Sequence, residues 1–410
     1  MLSDTGAARS RALTFILLTV ALDAMGIGIL VPVIPKLLQE LTGQGLDQSA
    51  VIGGWLTAVF AGMQFLAAPL LGALSDRFGR RPVLLISLGA FSLSYVLMGI
   101  ATTLSWLFVA QTLTGLFGAT PSTAGAYIAD VTEPSERTRY FGSMAAAFGS
   151  GLVIGPALGG IMVEHGTRVP FFAAALLSLF TVVYGFAVMP ESLAVHGRRQ
   201  FSWLRANPFG ALRELRRNAG VPLLLGAALL QRISTGTLPA IWPYFTMQVY
   251  QWTPRTIGYS LGAYGLVTVG FQAGLIRYVD KWIGTRATAA LGLAMLIVGY
   301  FGFAFGHSAW VVLPCIVLTA MGFMAGPALA SLLSLAVPSN TQGSLQGMLA
   351  SINGIAAVLT PLAMPPLFSA FSSGTLGIYF PGAPYVLGAA LAAAGIVLVR
   401  GKAISGWARA

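Results

Sequence analysis

Apolar residues run along this chain in blocks, at roughly 12–38, 50–73, 82–103, 105–129, 140–163, 169–189, 220–248, 256–278, 287–306, 309–337, 342–371 and 378–400. A helix rising about 1.5 Å per residue needs roughly 20 residues to cross about 30 Å of hydrocarbon, and each block is that long. The pattern predicts an all-α integral membrane protein of twelve transmembrane helices. Polar stretches between blocks are short except for Glu191 to Asn218, which carries six arginines and follows the sixth block. It divides the chain into an N-terminal six-helix bundle, residues 1–190, a linker, 191–219, and a C-terminal six-helix bundle, 220–410. Within the linker, Trp203 to Leu215 is expected as a short helix on the membrane face. The first block follows a basic tail, as in a signal peptide. It continues through Gly26, Gly28 and Pro32 with no small-residue cleavage site, so it is expected to be a permanent span.

Composition supports the same class. Of 410 residues, 56% are hydrophobic and 9% charged, and the mean hydropathy is +0.80. A soluble chain carries about 25% charged residues, so this one cannot cover a water-facing surface. The single cysteine, Cys315, excludes disulfides and CxxC metal sites. The net charge of +11 would suggest nucleic acid if it formed a stripe. Instead, with both termini inside the cell, nineteen of the 23 basic residues fall on the cytoplasmic side, so the excess reads as topology. Three histidines, His165, His196 and His307, lie in or beside loops, and no metal-ligand spacing, GxSxG elbow or phosphate-cradling loop occurs. The expectation is a non-enzyme with no metal and no cofactor, driven by an ion gradient. Its partners are a small molecule, protons and the lipid bilayer; no nucleic acid is expected, and a monomer suffices.

Charges inside a span cost several kcal/mol and face a cavity or a partner. Asp23 is the one acid in the interior of a block; the other eleven fall at termini, loops or helix ends. Burial favours the protonated form of a carboxyl, and surroundings that alternate between wet and dry let it carry a proton. The alternative is a structural acid bonded to a neighbouring helix. Arg232 is the corresponding anomaly in the seventh block. Aligning the proline-rich segments around Pro32 and Pro35 with those around Pro239 and Pro243 sets Asp23 opposite Gln231 or Arg232. Arg232 either holds Asp23 ionised, meets an anionic substrate group, or pairs within its own half. Gln64, Gln111, Gln231, Gln272, Gln346 and Asn353 are polar in apolar context, as cavity lining or as glue between helices. Trp242, Tyr244 and Phe245 are candidate aromatic contacts. Gly151, Gly155 and Gly159, four apart on one face, with Pro156 and Gly160, allow two helices to touch backbones.

A repeat relates the halves. The loop after the second block reads Gly72-Ala-Leu-Ser-Asp76-Arg77-Phe-Gly79-Arg80-Arg81-Pro82, and the one after the eighth reads Asp280-Lys281-Trp-Ile-Gly284-Thr-Arg286. The first resembles the signature loop of the major facilitator superfamily. Gly151-Leu-Val-Ile-Gly155-Pro156-Ala-Leu-Gly159-Gly160 resembles the antiporter motif of its drug:proton exporters. Leu22-Asp23-Ala-Met-Gly26-Ile-Gly28, Ala126-Tyr-Ile-Ala-Asp130 and Gln342-Gly-Ser-Leu-Gln346-Gly347 are similar to the bacterial tetracycline/proton antiporters. The resemblance implies two bundles with alternating access, in a bacterial cytoplasmic (inner) membrane, exporting a small lipophilic or amphiphilic drug in exchange for protons. Asp23 would couple the proton, with Gln64, Gln111, Arg232, Trp242, Tyr244, Phe245, Gln272 and Asn353 along the path. The resemblance places Asp76 against the start of helix eleven, near Ser339 to Gln342, and pairs Arg80 with Asp130. Gly72, Asp76, Arg77, Gly79, Arg80, Arg81 and Asp130 would thereby form the conformational gate.

The chain departs from those exporters at four positions. Ser94, Gln111, Thr268 and Leu296 stand where they carry Asp, Arg, His and Asp. With one buried acid, the expectation is about one proton per cycle, or none in a facilitator. Two other readings remain open at this point: uptake or uniport of a small anionic metabolite, and a non-transporting sensor on the same fold.

Overall fold

A computed structural model describes residues 6–118, 120–193, 198, 220–306, 308–338, 341–374 and 377–401. Most of the predicted linker, including the expected helix from Trp203 to Leu215, lies outside the described residues, as do His196, His307 and Ser339. Among the described residues every apolar block is helical and no strand occurs. Ten helices are long and apolar enough to cross a membrane.

Helix breaks follow proline and glycine. The first block forms α1 (Gly6–Leu30) and α2 (Ile34–Thr42), interrupted around Pro32, which has no N–H to donate. Next come α3 (Leu46–Phe78) and α4 (Arg80–Ile100). The block at 105–129 splits into α5 (Leu104–Leu116) and α6 (Thr120–Val131), with Gly118 in the gap. Then follow α7 (Pro134–Met162), α8 (Val169–Val188) and α9 (Val221–Val249). The block at 256–278 is α10 (Pro254–Gly270), a π-turn (Phe271–Leu275) and α11 (Ile276–Ile283). The remaining helices are α12 (Thr285–Phe305), α13 (Ala309–Gly322), α14 (Ala325–Ala336), α15 (Gln342–Ser372) and α16 (Ala383–Arg400).

The chain forms two compact units. One takes residues 1–43, 59–207 and 253–262; the other takes 44–58, 208–252 and 263–410. The first nine residues of α10, 254–262, thus group with the N-terminal helices, and the start of α3 groups with the C-terminal ones. In the first unit, Phe15, Ile16 and Val20 of α1 pack with Leu84 and Leu88 of α4 and with Tyr127 and Ile128 of α6. In the second, Leu224 and Ala227 of α9 pack with Leu329 and Leu333 of α14, Leu345 and Met348 of α15, and Val399 of α16. Lipid is as apolar as leucine, so burial does not draw such helices together; packing and hydrogen bonds do. Large side chains such as Leu66, Leu176, Val183, Phe186 and Val397 accordingly stay exposed along the helices. Trp282 and Trp310 are exposed near helix ends, the depth at which an indole meets both lipid and water.

Candidate functional site

The glycine series on α7 fixes the position of the α1 segment that carries Asp23. A Cβ on Gly151 would stand 2.7 Å from Ala24 Cβ and 2.8 Å from Met25 N. On Gly155 it would stand 2.5 Å from Met25 O and 2.9 Å from Gly28 Cα. Gly159 faces Ile29 in the same way. Gly160 faces the other direction, toward Pro254 and Arg255 at the start of α10, with a would-be Cβ 2.8 Å from Arg255 Cα. One motif therefore brings α7 against two helices, and a glycine is required wherever backbone meets backbone.

Between these contacts Asp23 is buried and forms no ion pair among the described residues. Across from it, Tyr95 of α4 lies over Gly26, with its hydroxyl oxygen 3.0 Å from where a Cβ would be. That hydroxyl is buried without a hydrogen-bond partner among the described residues. Tyr95 was not legible as a site residue, because an aromatic in an apolar block reads as core.

The other candidates divide. Gln64 of α3 donates from Nε2 to Gly118 O at 2.6 Å. The gap between α5 and α6 frees that carbonyl, so Gln64 serves as a tie across a broken helix. Trp242 and Phe245 lie in an aromatic core and not on an open wall: Trp242 stacks edge-on with Phe303 at 5.0 Å, and Phe245 with Tyr385 at 4.9 Å. Each is 1% exposed and packs against rings of its own unit. Tyr244 is also buried. Gln111 is half-buried, whereas Gln272, in the π-turn, and Asn353, on α15, are exposed. Ser94 and Thr268 bond to carbonyls of their own helices, Ala90 O and Tyr264 O, both at 2.8 Å. Leu296 is fully buried and packs where Gly322 leaves room.

Arg232 lies on α9 beside Gln231, and both side chains reach Gly326 of α14. Arg232 makes no ion pair among the described residues.

The signature loop is a compact charge network. Gly79 takes φ +109°, a conformation glycine adopts without strain, and ends α3 while starting α4. Arg80 pairs through Nη1 with Asp76 at 2.6 Å and through Nε with Asp130 at 3.1 Å, and donates to Ser75 Oγ at 2.6 Å. Asp76 thus meets a cation of its own loop; Ser339, which opens the segment expected to face it, is outside the described residues. Arg77 stacks over Phe78 at 5.1 Å. Gly72 has open space around it.

Glu191 was missed in the sequence and anchors this loop. Its carboxylate accepts from Arg80 N at 2.8 Å and Arg81 N at 3.2 Å, two of the N–H groups that open α4. Ser192 donates to Asp130 at 3.1 Å and Tyr127 to Pro190 O at 3.1 Å, so the chain leaving α8 is fastened to the loop. A polar residue just past a helix end reads as linker, and only its partners 110 and 111 positions away give it a role.

The repeat seen in the sequence is also geometric. Gly284 takes φ +80° at the start of α12, as Gly79 does at the start of α4. Arg286 donates to Val399 O at 2.9 Å and Gly401 O at 3.2 Å, at the end of α16. Arg81 donates to Phe186 O at 2.6 Å, near the end of α8. In each half an arginine after the glycine satisfies the last carbonyls of the bundle's final helix, where a cation is favoured.

Comparison with known proteins agrees with this geometry. The family model of the Major Facilitator Superfamily matches residues 16–361 and 223–403. The chain is 37% identical over 383 residues to the class C tetracycline resistance protein of Escherichia coli, covering 93% of this chain and 94% of that one. It is 37% identical over 354 residues to the class G protein of Vibrio anguillarum, covering 86% and 89%. Among solved structures, a nucleoside transporter superposes with a TM-score of 0.78 at 13% identity, covering 96% of this chain and all of the other. The human organic anion transporter does so with a TM-score of 0.70 at 22% identity, covering 96% and 99%.

Proposed function

The chain belongs to the Major Facilitator Superfamily, a family of membrane transporters, and on that premise we propose that it exports a small lipophilic or amphiphilic compound in exchange for protons. A tetracycline-like or multidrug substrate fits the relatives, which are tetracycline resistance proteins along nearly the whole chain. Export proceeds by alternating access, with twelve crossings, both termini cytoplasmic, and a monomeric protein in a bacterial inner membrane. The N-terminal bundle takes residues 1–190 and the C-terminal bundle 220–410. The basic residues, crowded on the loops that this topology puts inside, support that orientation.

One observation carries the proton coupling. Asp23 is the sole acid in the interior of a span, it is buried, and no cation neutralises it among the described residues. A carboxylate in that setting is costly as an anion, and binding a proton removes the cost. The side chain that alternately faces each bulk phase then loads on one side and unloads on the other. The signature-loop network of Asp76, Arg80, Asp130 and Glu191 serves as the latch that forms in one state and opens in the other.

The test is tetracycline transport in proteoliposomes under an imposed pH gradient. Export is expected to follow the gradient in the wild type, to lose that dependence in Asp23→Asn, and to keep it in Asp23→Glu. Transport indifferent to the gradient, or coupling unchanged in Asp23→Asn, would overturn the proposal.

A further inference from the structure

We propose that Gln231 and Arg232, beside Gly326 of α14, form an anion-binding subsite, and that the transported compound carries an anionic oxygen group, a carboxylate, a phosphate or an ionised enol, seated there. The inference rests on the transporter reading above and gives its substrate a chemical class.

Arg232 is the twelfth residue of α9, about 16 Å along a helix rising about 1.5 Å per residue, far from either end. A cation at that depth calls for a counter-charge. From Val221 to Ala410 the only acidic residue is Asp280, at the far end of α11, and Arg232 makes no ion pair among the described residues. Arg232 is exposed on α9, so a counter-ion can reach it as a ligand.

The surroundings are built for one. Gln231 is 1% exposed, yet its Nε2 has no hydrogen-bond partner among the described residues. A buried amide donor left unpaired carries a full desolvation penalty, so it marks a place where an acceptor belongs. Both side chains aim at one point. From where a Cβ on Gly326 would stand, Gln231 Nε2 is 3.6 Å away, Arg232 Nη2 3.7 Å and Gln231 Oε1 3.8 Å. Gly326 is the second residue of α14, whose first turn is already bonded to the end of α13: Gly326 N donates to Phe323 O and Ala328 N to Met324 O, both at 3.3 Å. A guanidinium and an amide N–H thus converge, and glycine leaves the space beside them open. A neutral or cationic group would leave the guanidinium charge uncompensated; a compact anion satisfies both donors.

The test uses the full chain in phosphatidylcholine nanodiscs, with no gradient. Binding is measured for several aryl and alkyl scaffolds, pyrenebutyrate among them, each as carboxylate, phosphate, alcohol and trimethylammonium. The expected result is a preference of about tenfold for an anionic form on at least one scaffold, the size of one charged hydrogen-bond contact. Arg232→Gln is expected to abolish it. Arg232→Lys is expected to keep part of it, since the charge stays while the fork is lost. Gln231→Glu, which supplies an internal counter-ion, is expected to abolish it too and carries the test if Arg232→Gln does not fold. No anion preference on any scaffold, or one that survives both Arg232→Gln and Gln231→Glu, overturns the proposal. Loss of the preference when phosphatidylglycerol replaces part of the lipid would assign the site to a headgroup and also overturns it. Failure here leaves gradient dependence through Asp23 intact, and loss of coupling in Asp23→Asn leaves this binding intact, so the two readings fail separately.

Discussion

Replacing Gly155 with alanine tests whether α7 touches α1 backbone to backbone. The added methyl would lie 2.5 Å from Met25 O, 2.9 Å from Gly28 Cα and 3.1 Å from Gly28 C. Carbon atoms sit comfortably at about 3.5–4.0 Å, so α7 has to retreat by about 1 Å. All three neighbours are main-chain atoms, and no rotamer change relieves them. Overpacking of this kind costs about 1–3 kcal/mol, while Gly→Ala in a helix gains at most about 1 kcal/mol. Gly142, on the same helix, has nothing within 4 Å of its would-be Cβ, so Gly142→Ala keeps the gain without the clash. The two alanines are expected to differ in sign: Gly142→Ala melts at or above the wild type and Gly155→Ala below it. Intrinsic tryptophan fluorescence during heating, in one detergent for all three proteins, reads the difference. A Gly155→Ala protein that melts with Gly142→Ala would refute the packing argument, and with it the account of how the Asp23 segment is held.

Four further substitutions test these hydrogen bonds. Gln64→Leu leaves Gly118 O without its donor at the α5/α6 gap and is expected to cost about 1–3 kcal/mol in thermal or denaturant unfolding; an unchanged midpoint would show that the tie is not needed. Glu191→Ala removes the acceptors for Arg80 N and Arg81 N, a loss of about 0.5–2 kcal/mol by analogy with a helix cap. Amide exchange in the first turn of α4 should quicken while that in α12 stays put. Arg286→Ala frees the carbonyls of Val399 and Gly401, so exchange should rise at the end of α16, and Arg81→Ala should act likewise at the end of α8. A response in one half only would argue against a shared role.

Much of the fold was legible in the sequence. Among the described residues every apolar block is helical, and the proline at 32 and the glycine at 118 fall at two of the interruptions, whereas the break at Phe323 and Met324 has neither residue. The glycine spacing on α7 announced close packing, and the repeated loop announced its geometry at Gly79 and Gly284. The site was less legible. Asp23 and Arg232 stood out because a charge in an apolar run is rare, whereas Tyr95 and Glu191 did not, since each is ordinary in its local context. Trp242 and Phe245, read as contacts for a ligand, proved to be core, because sequence position does not tell which way a kinked helix turns its rings.

What the sequence by itself determined is what depends on one residue and its near neighbours. Spanning length is a sum over about 20 consecutive side chains, and the cost of a charge in lipid is set where that charge stands, so the helices and the two anomalous ions follow from order alone. The tertiary structure decided which polar groups find partners. Gln64 meets a carbonyl 54 positions away and Glu191 meets amides 110 and 111 away, while Gln231 Nε2 meets no acceptor among the described residues and shares the space at Gly326 with Arg232. Hydrogen bonds reach about 3 Å, and only packing brings groups so distant in sequence within that range or leaves one of them unpaired.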